Sequence, residues 1–365
     1  EQSSNDITGI MLVVGSALGF SVHGTIVRKS AENGFGTVHL AFWVGVVRLS
    51  ISGLAVLWHR DMCPTIFCRG HGASLVALVA FRQVVGCAAL GCVFSSYAML
   101  PLGKATSLVF TAPVWTTFIA RFWLGEPITK LKFLAACLAT LGVTLLARAH
   151  RPAHGEGVLG EGVAEEAGES LDAAQEWLGT QLALLAALLL ALVMVSTRKI
   201  GKRMPPTVSI GWYGFTLLWF ALGAAALLGE PLVPLGPTAE AWGLMLVGAA
   251  VSYAAQILVT MALQRVEAST VNVLATLEIL FSFCSQVTFL RTPAHASSVA
   301  GAVVILACAV LVSGEKILAR RPRVVDMPHE LATVPKTRDA LGAAKALAPA
   351  GEAAQWTETV PTRSV

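Results

Sequence analysis

Ten stretches of roughly twenty residues run through the chain almost without charge, each long enough to cross the ~30 Å hydrocarbon core of a bilayer as a helix. They are Ile7–Val27, Val38–Trp58, Leu75–Leu100, Ala105–Leu124, Leu131–Ala147, Leu178–Thr197, Val208–Leu228, Ala241–Leu263, Ala268–Leu290 and Ser297–Ser313. The runs are continuous and rich in Leu, Ala and Gly, without the alternation of a barrel wall. The sequence therefore predicts an all-α polytopic membrane protein with ten transmembrane helices.

Charge supports this. Charged residues make up 13% of the chain, 26 basic and 22 acidic for a net charge of +4, about half the ~25% of a soluble domain. Two polar stretches, residues 148–177 and 316–365, hold 22 of these 48 charges and leave 26 for the other 285 residues. So few charges cannot solvate a surface, which excludes a soluble enzyme, a nucleic-acid binder and a disordered scaffold. The seven cysteines have no regular spacing, and Cys87, Cys92, Cys137, Cys284 and Cys308 fall inside apolar runs, as space-filling thiols do.

Lys and Arg near the span ends set the orientation. With both termini cytoplasmic, that side receives thirteen basic residues, among them Arg198, Lys199, Lys202 and Arg203, against six on the other, among them Arg28 and Lys104. The acidic segment Glu156 to Glu176 then becomes an outer or lumenal linker, solvated among Gly, Ala and Ser. The tail beyond Lys316, with scattered Pro, Thr and charge, is expected to be a disordered cytoplasmic segment.

Five spans precede the linker and five follow it. Val27-Arg28-Lys29 closes the first span and Thr197-Arg198-Lys199 the sixth; Leu124-Gly125-Glu126-Pro127 follows the fourth and Leu290-Arg291-Thr292-Pro293 the ninth. An odd number of spans per repeat places the two copies in opposite orientations, an architecture that transporters use for alternating access.

Two segments carry a resemblance. Tyr97 to Thr106, with its Pro101-Leu102-Gly103-Lys104-Ala105-Thr106 run, continues through Phe110-Thr111-Ala112-Pro113-Val114-Trp115 to Leu124-Gly125-Glu126-Pro127. It is similar to the first-repeat signature of the EamA-type carriers of the drug/metabolite transporter superfamily. Met261-Ala262-Leu263-Gln264 through Glu267-Ala268-Ser269-Thr270 to Thr276-Leu277-Glu278-Ile279-Leu280 resembles the corresponding second-repeat segment. The Pro101 run and Arg82-Gln83-Val84-Val85-Gly86 are most similar to the G-type branch of solute carrier family 35. The resemblance implies ten helices as two inverted five-helix EamA repeats, residues 1–147 and 178–315, separated by the linker 148–177 and followed by the tail 316–365. Small metabolites are the implied substrates. Thr292-Pro293 and Ile279 depart from the pattern, where the first repeat has Glu126-Pro127 and many second repeats have a proline.

Ionisable groups at mid-membrane depth cost about 2.5–3.5 kcal/mol each on insertion scales, so each needs a reason. Arg48 lies ten residues from either end of its run, roughly 15 Å at 1.5 Å per residue, and cannot snorkel to the headgroups. It is either an anion-binding guanidinium or an ion-paired tie between helices. Arg82, with Gln83 beside it, is either a substrate contact or an interfacial structural residue nearer the surface. Glu278 is the one carboxylate well inside a run; it either couples transport to a proton or pairs with Arg48 or Arg82. Two such cations against one anion leave the interior at +1, which favours carboxylate or phosphate substrates. Softer candidates are His23 along a pathway, Lys104 at an outer vestibule, and Asn272 and Gln256 as hydrogen-bonding groups. Trp115, Thr111 and Pro113 suit a kinked, pore-facing fourth span.

The loop His59 to His71 interleaves two Cys and two His with basic residues, a poor match to a zinc site. No phosphate loop, metalloprotease helix or nucleophile elbow occurs in the sequence. The expectation is thus a non-enzymatic secondary carrier without a cofactor, moving small, anionic organic metabolites. Its partners are the substrate, the lipid bilayer and, as a candidate homodimer, a second copy of the chain. The rival readings are a nucleotide-sugar or amino-acid carrier, and a non-transporting membrane partner protein with the same fold.

Overall fold

The computed structural model describes residues 2–59, 72–149, 173–234, 236–289 and 296–318. The loop His59 to His71 beyond its first residue, the linker from His150 to Asp172, Thr292-Pro293 and the tail beyond Leu318 lie outside them. Every described element is a helix: α1 (Gln2–Glu32), α2 (Thr37–Trp58), α3 (Ala73–Met99), α4 (Leu102–Val109), α5 (Ala112–Leu124), α6 (Lys130–Ala149), α7 (Ala173–Ile200), α8 (Pro206–Leu228), α9 (Ala239–Leu263), α10 (Ala268–Ala275), α11 (Leu277–Phe289) and α12 (Ala296–Leu318). Among the described residues nine stretches are long and apolar enough to cross a membrane, from Asn5–Glu32 to Ala296–Glu315. The helices overrun the apolar runs; α1, for instance, begins five residues before Ile7.

Large apolar side chains such as Leu227, Phe122 and Trp58, each more than 80% exposed, cover the outside. Lipid is as apolar as these groups, so burying them gains nothing and close packing must hold the helices together. Small residues provide it. Gly19 sits on Ala255 between α1 and α9, and a methyl group on Gly301 would stand 2.5 Å from the Gly142 carbonyl oxygen where α12 crosses α6.

The most extensive contacts pair α3 with α7, α1 with α9, α2 with α8 and α6 with α12. Each joins the first half of the chain to the second. Exchanging the halves turns the α1–α9 pair into α7–α3 and leaves the α2–α8 and α6–α12 pairs unchanged.

The fourth span, expected to be kinked, and the ninth, read as one continuous run, are each broken into a helix of 8 residues followed by one of 13. In the fourth, Pro113 lacks the amide that would continue the ladder, and the chain turns at Phe110 and Thr111. In the ninth no proline marks the break. There the Thr276 hydroxyl donates to the Val273 carbonyl at 2.6 Å, a local bond that competes with the helix.

Candidate functional site

The interior site is built around Tyr213 on α8. Gly214 beside it has no side chain, and a methyl group there would stand 2.9 Å from Arg48 Cβ and 3.0 Å from the Gly45 carbonyl oxygen. This absence lets α8 close on α2 with Arg48 at the contact. Gly86 does the same on α3, where the Tyr213 ring lies 3.1 Å from a methyl position. Arg82, one turn earlier on α3, shares that face.

Both guanidinium groups therefore meet one ring. The Arg48 Cζ lies 5.1 Å and the Arg82 Cζ 4.7 Å from the Tyr213 centroid, within cation–π range. Arg48 Nη2 donates to Ser252 Oγ at 2.8 Å, while its buried Nε has no hydrogen-bond partner. Arg82 Nη1 donates to Gln83 Oε1 at 2.7 Å and its Nε to Thr197 Oγ1 at 3.3 Å; Gln83 Nε2 in turn donates to the Ser209 carbonyl. At 2% exposure Arg82 is buried. The reason is α7, whose Thr197 covers it. Among the described residues no carboxylate lies within salt-bridge distance of either arginine. Two buried cations thus stand together with only neutral partners.

His23 and Gln256 flank this cluster along α9. His23 Nδ1 donates to the Gly248 carbonyl at 2.9 Å, one turn before Ser252, and Gln256 lies one turn after it.

Glu278 belongs to a separate group at the α10–α11 break. It is half-buried, with no cation within salt-bridge distance among the described residues, so the pairing with Arg48 or Arg82 is not formed. Tyr97, beside Thr106, lies within electrostatic range of it. Asn272 donates to Thr116 Oγ1 and so joins α10 to α5.

The remaining candidates lie elsewhere. Trp115 is 40% exposed, because the inward face of α5 is Pro113, Thr116, Thr117 and Ala120. Lys104 is exposed and paired with Glu176. Cys284 is exposed, unlike the space-filling thiol expected.

A second polar group ties the halves together where α5 and α7 end and α10 begins. Glu126 accepts from the Ala268 amide at 3.0 Å and lies 3.6 Å from Arg198 Nε, while Arg198 Nη1 donates to the Leu263 carbonyl. Lys132 pairs with Glu267 beside it. Burial pushes the Glu126 carboxyl above the usual carboxylate range; Glu267 adds to this, and the Ala268 amide and Arg198 oppose it.

Sequence reasoning missed Tyr213 and Ser252. A signal existed, since the chain has only 3 tyrosines and all of them, Tyr97, Tyr213 and Tyr253, fall within apolar runs where the hydroxyl must find a partner.

The all-helical bundle with paired broken spans and a buried polar centre defines a multi-pass membrane transporter of small molecules. The chain matches the EamA-like transporter family over residues 7–148 and 177–314 and belongs to that family. It is an EamA-type carrier of the drug/metabolite transporter superfamily, related to the G branch of solute carrier family 35. It is 27% identical over 281 residues to solute carrier family 35 member G1 of Mus musculus, covering 77% of this chain and 71% of the mouse protein. With the human counterpart it shares 26% over 299 residues, 82% of this chain and 77% of that protein. It is also 23% identical to the pseudopaline exporter CntI of Pseudomonas aeruginosa, covering 85% of this chain and 97% of the exporter. A solved crystal structure covering 86% of this chain and 99% of its own superposes with a TM-score of 0.63 at 15% identity, a likeness of fold alone.

Proposed function

We propose that the chain carries a small organic anion by alternating access between two inverted five-helix repeats, both termini being cytoplasmic. The observation that carries this reading is the pair of buried guanidinium groups at Tyr213, which among the described residues have no carboxylate partner and leave the Arg48 Nε–H unsatisfied. A buried charge without a counter-ion is costly, and a carboxylate or phosphate from the substrate would supply the missing acceptor. Contacts that exchange when the halves are swapped, together with breaks of the same 8 and 13 residue lengths, support the inverted repeat, with α6 as the fifth span that brings the nine membrane-length stretches to ten. The Glu126 and Lys132 ties cross between the halves at the end that the basic residues assign to the cytoplasm. This conformer is accordingly read as closed there. Glu278, half-buried at a break and without an ion-pair partner among the described residues, is the coupling candidate if a proton drives transport.

The test is uptake and counterflow in proteoliposomes, with carboxylates, sugar phosphates, nucleotide sugars and amino acids as substrates. Flux confined to one anionic class, weakened by Arg48→Lys as well as Arg48→Ala, is expected, because a point charge does not replace a planar fork. Flux of a cation, or equal flux of an anion through all three forms, would overturn the anion reading. Absence of flux across the whole panel would favour the non-transporting partner protein instead.

A further inference from the structure

A second basic site lies where α3 begins and α5 and α7 end. A cavity of about 450 Å³ opens there, lined by Ser74, Leu78 and Phe81 of α3, Trp123 of α5, Lys199 of α7 and Arg203 of the short turn after it. Lys199 Nζ lies 4.7 Å from the Trp123 centroid, and the Trp123 and Phe81 rings meet edge to face at 5.8 Å. Among the described residues neither Lys199 nor Arg203 has a carboxylate within salt-bridge distance. The cavity therefore joins two uncompensated cations to an apolar wall, of which Phe81 is 40% exposed.

Its depth decides which anion fits. Ser74, Trp123, Lys199 and Arg203 all stand within a turn of the ends of membrane-crossing stretches, Ala73–Met99, Gly103–Leu124 and Gln175–Arg203. That is the boundary where phosphates end and acyl chains begin, and where aromatic side chains settle. A soluble phosphate would use the cations and leave the apolar wall wet. A phospholipid uses both.

We infer that this cavity holds an anionic phospholipid, its phosphate between Lys199 and Arg203 and its acyl chains along Leu78 and Phe81. The inference stands apart from the substrate reading and does not require it.

The experiment is native mass spectrometry of the full chain in mild detergent. The probes are phosphatidylglycerol, phosphatidylcholine with the same acyl chains, and glycerol 3-phosphate. Phosphatidylglycerol is expected to be preferred over phosphatidylcholine by roughly 30-fold, which corresponds to two cations at about 1 kcal/mol each. Lys199→Gln with Arg203→Gln should erase the preference, and Lys199→Arg, which keeps the charge, should retain it. Lys202→Gln, an exposed neighbour outside the cavity, should also retain it. Preference persisting in the double variant would overturn the site, and so would its loss in Lys202→Gln, which would mark a diffuse surface field. Glycerol 3-phosphate displacing the lipid at equal concentration would assign the cations to a soluble anion and overturn the lipid reading.

Discussion

The same substitution, glycine to alanine, should have opposite effects at two positions of this bundle. At Gly301 the added methyl would stand 2.5 Å from the Gly142 carbonyl oxygen and 2.8 Å from the Leu146 amide nitrogen. Both are backbone atoms and neither can rotate away. Ordinary contact begins at 3.4 Å, so α6 and α12 must part by about 0.9 Å at the crossing. A gap of 0.5–1 Å already forfeits a quarter to a half of each dispersion contact, and Ile305, Val304 and Leu146 would lose theirs together. Overpacking of this kind costs about 1–3 kcal/mol, and a clash with backbone belongs at the upper end. Alanine returns about 1 kcal/mol of helix propensity, leaving Gly301→Ala roughly 2 kcal/mol less stable. At Gly223 in α8 a methyl meets nothing within 4 Å, so Gly223→Ala keeps only the propensity gain. Thermal unfolding of the two purified variants in detergent should give a lower Tm for the first and an unchanged or higher Tm for the second. A Gly301→Ala protein as stable as wild type would mean that the helices part without loss, and the case for glycine-mediated packing would fail.

Glu278→Gln should abolish uptake driven by a proton gradient while sparing counterflow; retained proton dependence would end its coupling role. Glu126 is held above the ordinary carboxylate range chiefly by burial, so its stabilising contribution is full at low pH and is lost as the pH rises through that range. The Tm of wild type should therefore fall relative to Glu126→Gln as the pH rises, and a relative gain would refute the burial argument. The Lys104–Glu176 pair, with both side chains more than 40% exposed, should contribute about 0–1 kcal/mol, so Lys104→Met should leave the Tm almost unchanged. A drop comparable to that of Gly301→Ala would show that this end of the bundle needs the pair.

The membrane class, the all-helical fold and the positions of the helices were legible in the sequence, because hydrocarbon demands some twenty apolar residues per crossing and charges must be rationed. Arg48 and Glu278 stood out for the same reason, since a mid-span charge is expensive wherever the helix points. What remained hidden depends on which faces meet. Whether Arg82 was buried turned on α7 laying Thr197 over it, and whether the arginines paired with Glu278 turned on distances between helices far apart in the chain. Tyr213 joins the two guanidiniums only because Gly86 and Gly214 let three backbones close on it. Lipid gives every outward residue the same reward, so hydropathy cannot report rotation about a helix axis. Close packing decides it, and with it which charges become neighbours.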